Sequence, residues 1–192
     1  MTNNDGGTAL ILATQFGETG VMELLLVEGA SINKQRVKDG ANALRIACID
    51  GRLDAVKCLL KYGASVDFVD SGKYTPLRAA AWKGRTALVD FLLDQGASVD
   101  LTSDDGLAPL MSACEEGHVD VVALLLNRGA VVDKQTKSGQ TALHTACLNG
   151  HLEVSRLILE RGASIDWVGE ELMHTENASC IRQNVLHSQD RL

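Results

Sequence analysis

The sequence lacks the features that would place this chain in a membrane or direct it out of the cell. No uninterrupted apolar run approaches the roughly 18 residues that a membrane-spanning helix requires. The chain starts Met-Thr-Asn-Asn-Asp-Gly-Gly, which has neither the charged nor the apolar region of a secretory signal peptide. We therefore expect no membrane span and a cytoplasmic, intracellular location, with the nucleus as an alternative.

Cysteine is scarce and has no metal-binding spacing. The chain has five cysteines, and none of them forms the short CxxC-type pairs that bring zinc ligands together. Cys48, Cys114 and Cys147 share one position of a repeating frame, and two other copies of that frame have Thr14 and Ala81 there. A position that accepts Cys, Ala and Thr favours a small buried side chain over a metal ligand or a redox centre. Unpaired thiols also favour a reducing compartment.

An excess of basic charge and a catalytic motif are missing as well. Lys and Arg number 18 against 25 Asp and Glu, which gives a net charge of −7 and argues against nucleic acid as the main partner. The sequence has no phosphate-binding glycine loop, no HExxH, no GxSxG and no kinase motif set. We expect no enzymatic activity, no cofactor, no bound metal and no small-molecule substrate.

What the sequence does contain is a repeat. The copy at 141–151 reads Thr-Ala-Leu-His-Thr-Ala-Cys-Leu-Asn-Gly-His, and related openings lie at residues 108, 75, 42 and 8, in steps of 33, 33, 33 and 34. A glycine at residues 17, 51, 84, 117 and 150 keeps the same step. A Gly-Ala pair that starts at residues 29, 63, 96, 129 and 162 keeps it too. Three markers in register indicate tandem copies of one structural unit.

The pattern resembles the ankyrin repeat family, whose period is 33 residues and whose signature reads T-P-L-H-x-A. The resemblance implies an all-α solenoid of stacked helix-turn-helix units with projecting loop or hairpin fingers. It covers residues 1–166 as five copies, at about 4–33, 34–66, 67–99, 100–132 and 133–165. The pattern stops at Trp167. Residues 167–192 are predicted to be either a capping helix or a frayed, disordered terminus.

The copies depart from the signature in informative ways. Copy 4 has Ala108 in place of the Thr or Asn that would cap its first helix, so this helix start should be the softest. Only copy 5 has the signature histidine, His144, which the resemblance implies is hydrogen-bonded near Thr141. The other copies have Ile11, Arg45, Arg78 and Met111 in that slot, where the contact must be absent.

Copy 1 is apolar on a face that terminal repeats normally keep polar. Leu10, Ile11 and Leu12 run together, and Gly20 lies inside the second predicted helix and weakens it. We consider two explanations. Either copy 1 belongs to the interior of a longer parental array, or this end of the array is an interface.

The resemblance implies non-enzymatic protein recognition through the finger loops and the inner face of the first helices, which together line a concave groove. The candidate positions precede the signature residue, end the first helix or lie in the acidic finger of copy 4. They are Phe16, Ala41, Ile49, Asp50, Tyr74, Trp82, Lys83, Asp104, Asp105, Leu107, Glu115, Glu116, Gln140, Leu148 and Asn149. The alternative function is a structural spacer or regulatory part of a larger enzyme, channel or ubiquitin-ligase adaptor.

Aromatic residues are few, and three of the seven map to this candidate surface: Phe16, Tyr74 and Trp82. Aromatic side chains are enriched among interface anchors. The alternative for Trp82 is that its ring lies flat on a neighbouring copy.

Charge is also distributed unevenly over these positions. Copy 3 gathers four cations, Lys73, Arg78, Lys83 and Arg85. Copy 4 gathers four carboxylates, Asp104, Asp105, Glu115 and Glu116. A groove with adjoining zones of opposite charge would favour a partner segment of complementary charge order. The alternative is that these charges are solvated and have no partner.

Overall fold

The structure is a computed structural model that describes residues 7–71 and 73–165. The regular elements in this part of the chain are α-helices, two for each predicted copy, which confirms the all-α repeat architecture. They are α1 (Ala9–Phe16), α2 (Thr19–Val27), α3 (Ala43–Asp50), α4 (Leu53–Lys61), α5 (Pro76–Trp82), α6 (Thr86–Asp94), α7 (Pro109–Glu115), α8 (Val119–Asn127), α9 (Ala142–Leu148) and α10 (Leu152–Glu160). The predicted tail, residues 167–192, lies outside the described residues.

The chain divides into two compact units, Met1–Ser98 and Val99–Leu192. The division falls one residue before the predicted border between copies 3 and 4. In the first unit, α1 packs on α3, α3 packs on α5, and α2 packs on α4. In the second unit, α7 packs on α9 and α8 on α10. Within each unit, every first helix also packs on the second helix of its own copy.

The first helix of a copy starts at a side-chain cap wherever the sequence provides one. The caps accept a hydrogen bond from the backbone N–H three residues later, at 2.9–3.4 Å, and they are Thr8, Asn42, Thr75 and Thr141. Ala108 makes no such bond, as the sequence predicted. Each first helix then ends before a glycine with φ between 65° and 75°, a left-handed conformation that glycine adopts without steric cost.

The core of each unit is built from the apolar stripe of each helix. The largest fully buried side chains of the first unit include Ile11, Met22, Leu44, Leu59, Leu77 and Leu92. Those of the second unit include Leu110, Met111, Leu125 and Ile158. Each copy thus buries its apolar face against neighbours and has no separate core of its own.

The small-residue position lies at the centre of this packing. Its five side chains are only 0–3% exposed, which confirms the structural interpretation of the cysteines, and they are Thr14, Cys48, Ala81, Cys114 and Cys147. Burial raises the pKa of the Cys48 and Cys114 thiols far above its usual range. A thiol in this environment stays protonated and is a poor nucleophile or metal ligand.

The apolar run named for copy 1 is not itself at the surface, because Leu10 and Ile11 are buried and Leu12 is half-buried. The exposed apolar side chains of this copy lie instead on α2. Leu24 and Val27 of α2 are 62% and 67% exposed. The residue that corresponds to Leu24 in copy 2, 34 positions later, is Cys58, which is buried. Leu24 therefore occupies a position that is buried in copy 2, whereas Val27 corresponds to Lys61, which is exposed.

We predict that Gly20→Ala stabilises the protein. Gly20 is exposed within α2, and a Cβ built there has no atom within 4 Å, so alanine adds helix propensity without a clash. The gain in the free energy of unfolding should be about 0.5–1 kcal/mol, measured by urea denaturation. Gly17→Ala is the matched control: Gly17 has φ 75° and its Cβ would lie 2.7 Å from Arg52 Nη1, so this variant should lose stability. A Gly20→Ala variant less stable than the wild type would contradict the helix assignment.

Candidate protein-recognition surface

The finger loops before α5, α7 and α9 are tight turns. A backbone hydrogen bond joins the ends of each turn at 2.9–3.4 Å, from the N–H of Asp70, Ser103 or Thr136 to the carbonyl oxygen four residues later, and two more hydrogen bonds hold its interior. One bond closes the turn at 3.0 Å, from the N–H of Lys73, Gly106 or Gly139 to the carbonyl oxygen three residues earlier. The other bond is accepted by the side chain of Asp70, Ser103 or Thr136 from the N–H four residues later, at 2.8–3.3 Å. These bonds fix the backbone of the candidate residues that follow the turns, Tyr74, Leu107 and Gln140.

The turn before α5 has an unusual residue at its left-handed position. Gly40, Gly106 and Gly139 occupy this position in other copies, with φ of 68°, 83° and 78°. Copy 3 has Lys73 there, with φ 57°, and among the described residues no other non-glycine has a positive φ. A left-handed lysine costs about 1–2 kcal/mol, which glycine would avoid.

The residue at the signature histidine position determines which side chain each first helix presents next to the finger loop that precedes it. In copy 5, His144 Nδ1 lies 2.8 Å from the Thr141 hydroxyl, and the pair forms a buried capping box. This confirms the expected contact. In copies 2 and 3 the slot holds Arg45 and Arg78, and both guanidinium groups lie over the ring of Tyr74, at 5.1 and 4.3 Å from its centroid. The departure from the signature thus creates a cation–π cluster.

Asp70 holds this cation–π cluster together. Its carboxylate is buried, forms an ion pair with Arg45, and accepts the Tyr74 N–H at 2.8 Å. Because one carboxylate fixes both a guanidinium and the backbone of the aromatic residue, the ring and its cation are held together before any partner arrives.

Trp82 ends α5 on the same unit. Its side chain is at the surface, 37% exposed, and Lys83 Nζ lies 3.6 Å from the ring centroid. The ring therefore combines an apolar face with a nearby positive charge. Such a cation–π contact at an exposed site contributes about 0.5–1 kcal/mol.

The remaining candidates of the first unit have mixed outcomes. Phe16 is 73% exposed, Asp50 is exposed and Ile49 is half-buried, so each can be reached from solvent. Ala41 is fully buried, and its inclusion among the contact residues was wrong. The carbonyl oxygens of Tyr74, Leu107 and Gln140 accept a similar backbone hydrogen bond, but their longer side chains remain half-buried, whereas the side chain of Ala41 is a single methyl group.

The candidates of the second unit all reach its surface. The exposed ones are Asp104, Asp105, Glu115, Glu116, Leu148 and Asn149, and the half-buried ones are Leu107 and Gln140. Asn149 Nδ2 donates to the Thr145 carbonyl at 2.9 Å, so this side chain already has a local partner. The acidic set belongs to the second unit and the basic set to the first. That they adjoin in one groove stays a prediction.

The loop before α3 contains a second organised charge pair. Arg36 Nη2 lies 2.6 Å from the Asp39 carboxylate, and Asp39 also accepts the Ala41 N–H at 3.2 Å. The Arg36 hydrogen bond is the main reason that the pKa of Asp39 falls from 3.8 to about 2, while partial burial opposes the shift. Val37, between two cations of this loop, is 86% exposed.

Sequence reasoning missed a set of structural aspartates. The carboxylate at the start of a copy accepts the backbone N–H that follows the Gly-Ala pair near the end of the same copy, at 3.0–3.1 Å. The pairs are Asp67 with Ser98, Asp100 with Val131, and Asp133 with Ser164. The signal was present, because the three aspartates keep the step of 33 residues. The prediction also overlooked Arg45, which only the folded chain brings to Tyr74.

Among the described residues, no group of three or more His, Cys, Asp or Glu side chains is arranged to hold a metal ion. None of the helices in this part of the chain has the length and apolar character needed to cross a membrane.

Matches to a protein-family model and to known proteins agree with the repeat that the sequence displays. A family model described as ankyrin repeats (3 copies) matches residues 10–103 and 79–167. The ankyrin repeat and SAM domain-containing protein 6 of Rattus norvegicus is 43% identical over 75 residues, which are 39% of this chain and 8% of that protein. A putative ankyrin repeat protein of Fowlpox virus is 34% identical over 76 residues, 40% of this chain and 22% of that protein. A potassium channel of Oryza sativa subsp. indica is 34% identical over 76 residues, 40% of this chain and 8% of the channel.

The chain belongs to the ankyrin repeat family. Ankyrin repeats are generally protein–protein interaction modules and are typically non-enzymatic. The chain spans less than a quarter of the length of these three relatives.

We predict that the Asp39 carboxyl group titrates near pH 2 instead of 3.8 in a carbon-13 NMR pH titration. A carboxyl whose pKa is lowered in the folded state stabilises the fold above its unfolded pKa, and this contribution is lost as the pH falls from 3.8 towards 2. In the Arg36→Gln variant the midpoint should rise, because the largest cause of the shift is removed. An unchanged midpoint would show that the pair does not form in solution.

Proposed function

We propose that this chain is a non-enzymatic module that binds a partner protein or peptide, and that Tyr74 and Trp82 anchor the contact. One observation carries the proposal. The loop before α5 and the C-terminal end of α5 present two aromatic rings at the surface, Tyr74 with two guanidinium groups over its ring and Trp82 with the Lys83 ammonium over its ring. Tyrosine and tryptophan are the side chains most often found at the energetic centre of protein interfaces.

Preorganisation supports the same proposal. The Tyr74 backbone is held by Asp70, and its ring lies beneath two guanidinium groups, so little conformational freedom remains to be lost on binding. Interfaces gain affinity when the contact residues are ordered in advance. The side chains of Ile49 and Phe16, which end the first helices of copies 2 and 1, extend the reachable surface within the unit.

The double variant Tyr74→Ala/Trp82→Ala tests the proposal. Both side chains lie outside the fully buried core, so the variant should keep the helical circular dichroism of the wild type. It should bind partners at least about tenfold more weakly, because anchors of this kind each cost more than about 1 kcal/mol when truncated. Partners are captured from cell lysate with the full chain as bait, identified by quantitative mass spectrometry, and their affinities are then measured.

Tyr62→Ala is the matched control. Tyr62 follows α4 and also lies beside a cation, with Lys61 Nζ at 5.2 Å from the ring centroid, but it belongs to no finger loop. This variant should capture partners as the wild type does. Equal capture by the double variant would move the contact away from Tyr74 and Trp82.

A second candidate function rests on a different observation. The exposed apolar side chains of Phe16, Leu24 and Val27 would suit a spacer or regulatory part whose first copy packs against further protein. If so, the isolated chain should bind a dye for exposed apolar surface or self-associate in sedimentation. Leu24→Lys should reduce either effect. A monomer that binds no dye would remove the support for this function.

A further inference from the structure

The net charge of this protein is distributed unequally between its two units. Residues 1–98 contain eleven Lys and Arg and eleven Asp and Glu, so the net charge of −7 belongs to residues 99–192. Within the first unit, the two finger loops and the first helices that follow them, residues 34–50 and 70–83, contain seven Lys and Arg against three Asp. The recognition side of the first unit is therefore basic in an otherwise acidic protein.

Two of those three carboxylates are already engaged. Asp39 is bonded to Arg36, and Asp70 is bonded to Arg45 and to the Tyr74 N–H. Asp50 is exposed at the end of α3. These two segments carry a net charge of +4, from seven cations and three carboxylates, whichever cations the carboxylates pair with.

The strained backbone of Lys73 points to a role for its charge. The corresponding residues of the other three finger loops are glycines, which adopt the left-handed conformation without steric cost. Residues held in unfavourable backbone conformations cluster at active sites, ligand clamps and switch regions. A lysine kept at this turn adds a cation beside Tyr74 at the expense of stability.

We propose that the surface formed by Lys73, Tyr74, Arg78, Trp82 and Lys83 binds a short peptide segment rich in Asp and Glu with interspersed apolar residues. The inference rests on the proposed function and names the chemical class of the partner. A guanidinium stacked on an aromatic ring is oriented to donate paired hydrogen bonds to a carboxylate. The exposed parts of the Trp82 and Tyr74 rings then receive the apolar residues of the segment.

The observations favour a peptide over nucleic acid. Nucleic acid binding draws its affinity from many phosphate contacts along an extended basic surface. Here seven of the eleven cations of residues 1–98 lie on two loops and two helices of a chain with a net charge of −7, and aromatic rings and the exposed Val37 lie among them. A short segment with a few carboxylates and apolar side chains matches this mixture.

The experiment is a selection from a random peptide library displayed on phage, with the full chain immobilised. We expect the selected peptides to be enriched in Asp and Glu over the starting library. Synthetic copies should lose affinity as salt is raised. The Arg78→Gln/Lys83→Gln variant should bind them about tenfold more weakly, since each removed cation takes with it an exposed ion pair with a peptide carboxylate.

Two further variants separate binding from folding. Lys73→Gly should raise the urea midpoint of unfolding, because backbone strain is relieved, and should also weaken peptide binding. If Lys73 had only a structural role, stability would not rise while the affinity for the peptide falls. Lys57→Gln is the control, because Lys57 also lies over an aromatic ring, with Nζ 5.8 Å from the Phe91 centroid, but on α4, outside the loops. Its binding should match that of the wild type.

The contradicting outcomes separate this inference from the proposed function. Peptides that require Tyr74 and Trp82 but show no acidic enrichment would overturn the acidic class and leave the proposed function intact. Acidic peptides that bind Tyr74→Ala/Trp82→Ala as tightly as the wild type would remove the assigned surface. A single-stranded oligonucleotide that binds more tightly than the selected peptides would overturn the choice of a peptide, and so would a selection that yields none.

Discussion

The close approach of neighbouring first helices is the constraint on which the rest of each unit depends. No copy can bury its apolar face alone, so α1 must pack on α3, α3 on α5, and α7 on α9. This approach is why the small-residue position admits only Thr, Ala or Cys and is almost completely buried. It also fixes the spacing of the loops that precede these helices. The surface available for recognition is therefore set by packing, and only its side chains are free to vary.

The histidine slot shows how that freedom is used. In copy 5 the slot serves the fold, because His144 and Thr141 close a capping box. In copies 2 and 3 the caps Asn42 and Thr75 still bond the helix, but the side chains of Arg45 and Arg78 lie over Tyr74. The same backbone position therefore stabilises a helix start in one copy and builds a charged aromatic surface in two others.

Local stability and recognition are in tension in the loop before α5. Lys73 occupies a position where glycine would relieve backbone strain, and Asp70 is buried with its ion-pair partner next to it. Burying a carboxylate costs free energy unless hydrogen bonds compensate, and here Arg45 and the Tyr74 N–H do so. The left-handed Lys73 and the buried Asp70 both cost free energy, and they are also the residues that place the cations and the Tyr74 ring of this loop.

The sequence by itself determined the period, the ten helices of residues 7–165, the capped and uncapped helix starts, the glycine turns and the burial of the cysteines at the small-residue position. These features depend on residues within one copy or on their exact recurrence, so a single chain displays them. Tertiary structure alone decided which side chains meet across copies. Arg45 contacts Tyr74 and Asp70, which follow it by 29 and 25 positions. Ala41, which looked like a contact residue by register, is fully buried. Spacing along the chain gives a residue its place in the repeat, but the direction and the neighbours of its side chain follow only from how the copies stack.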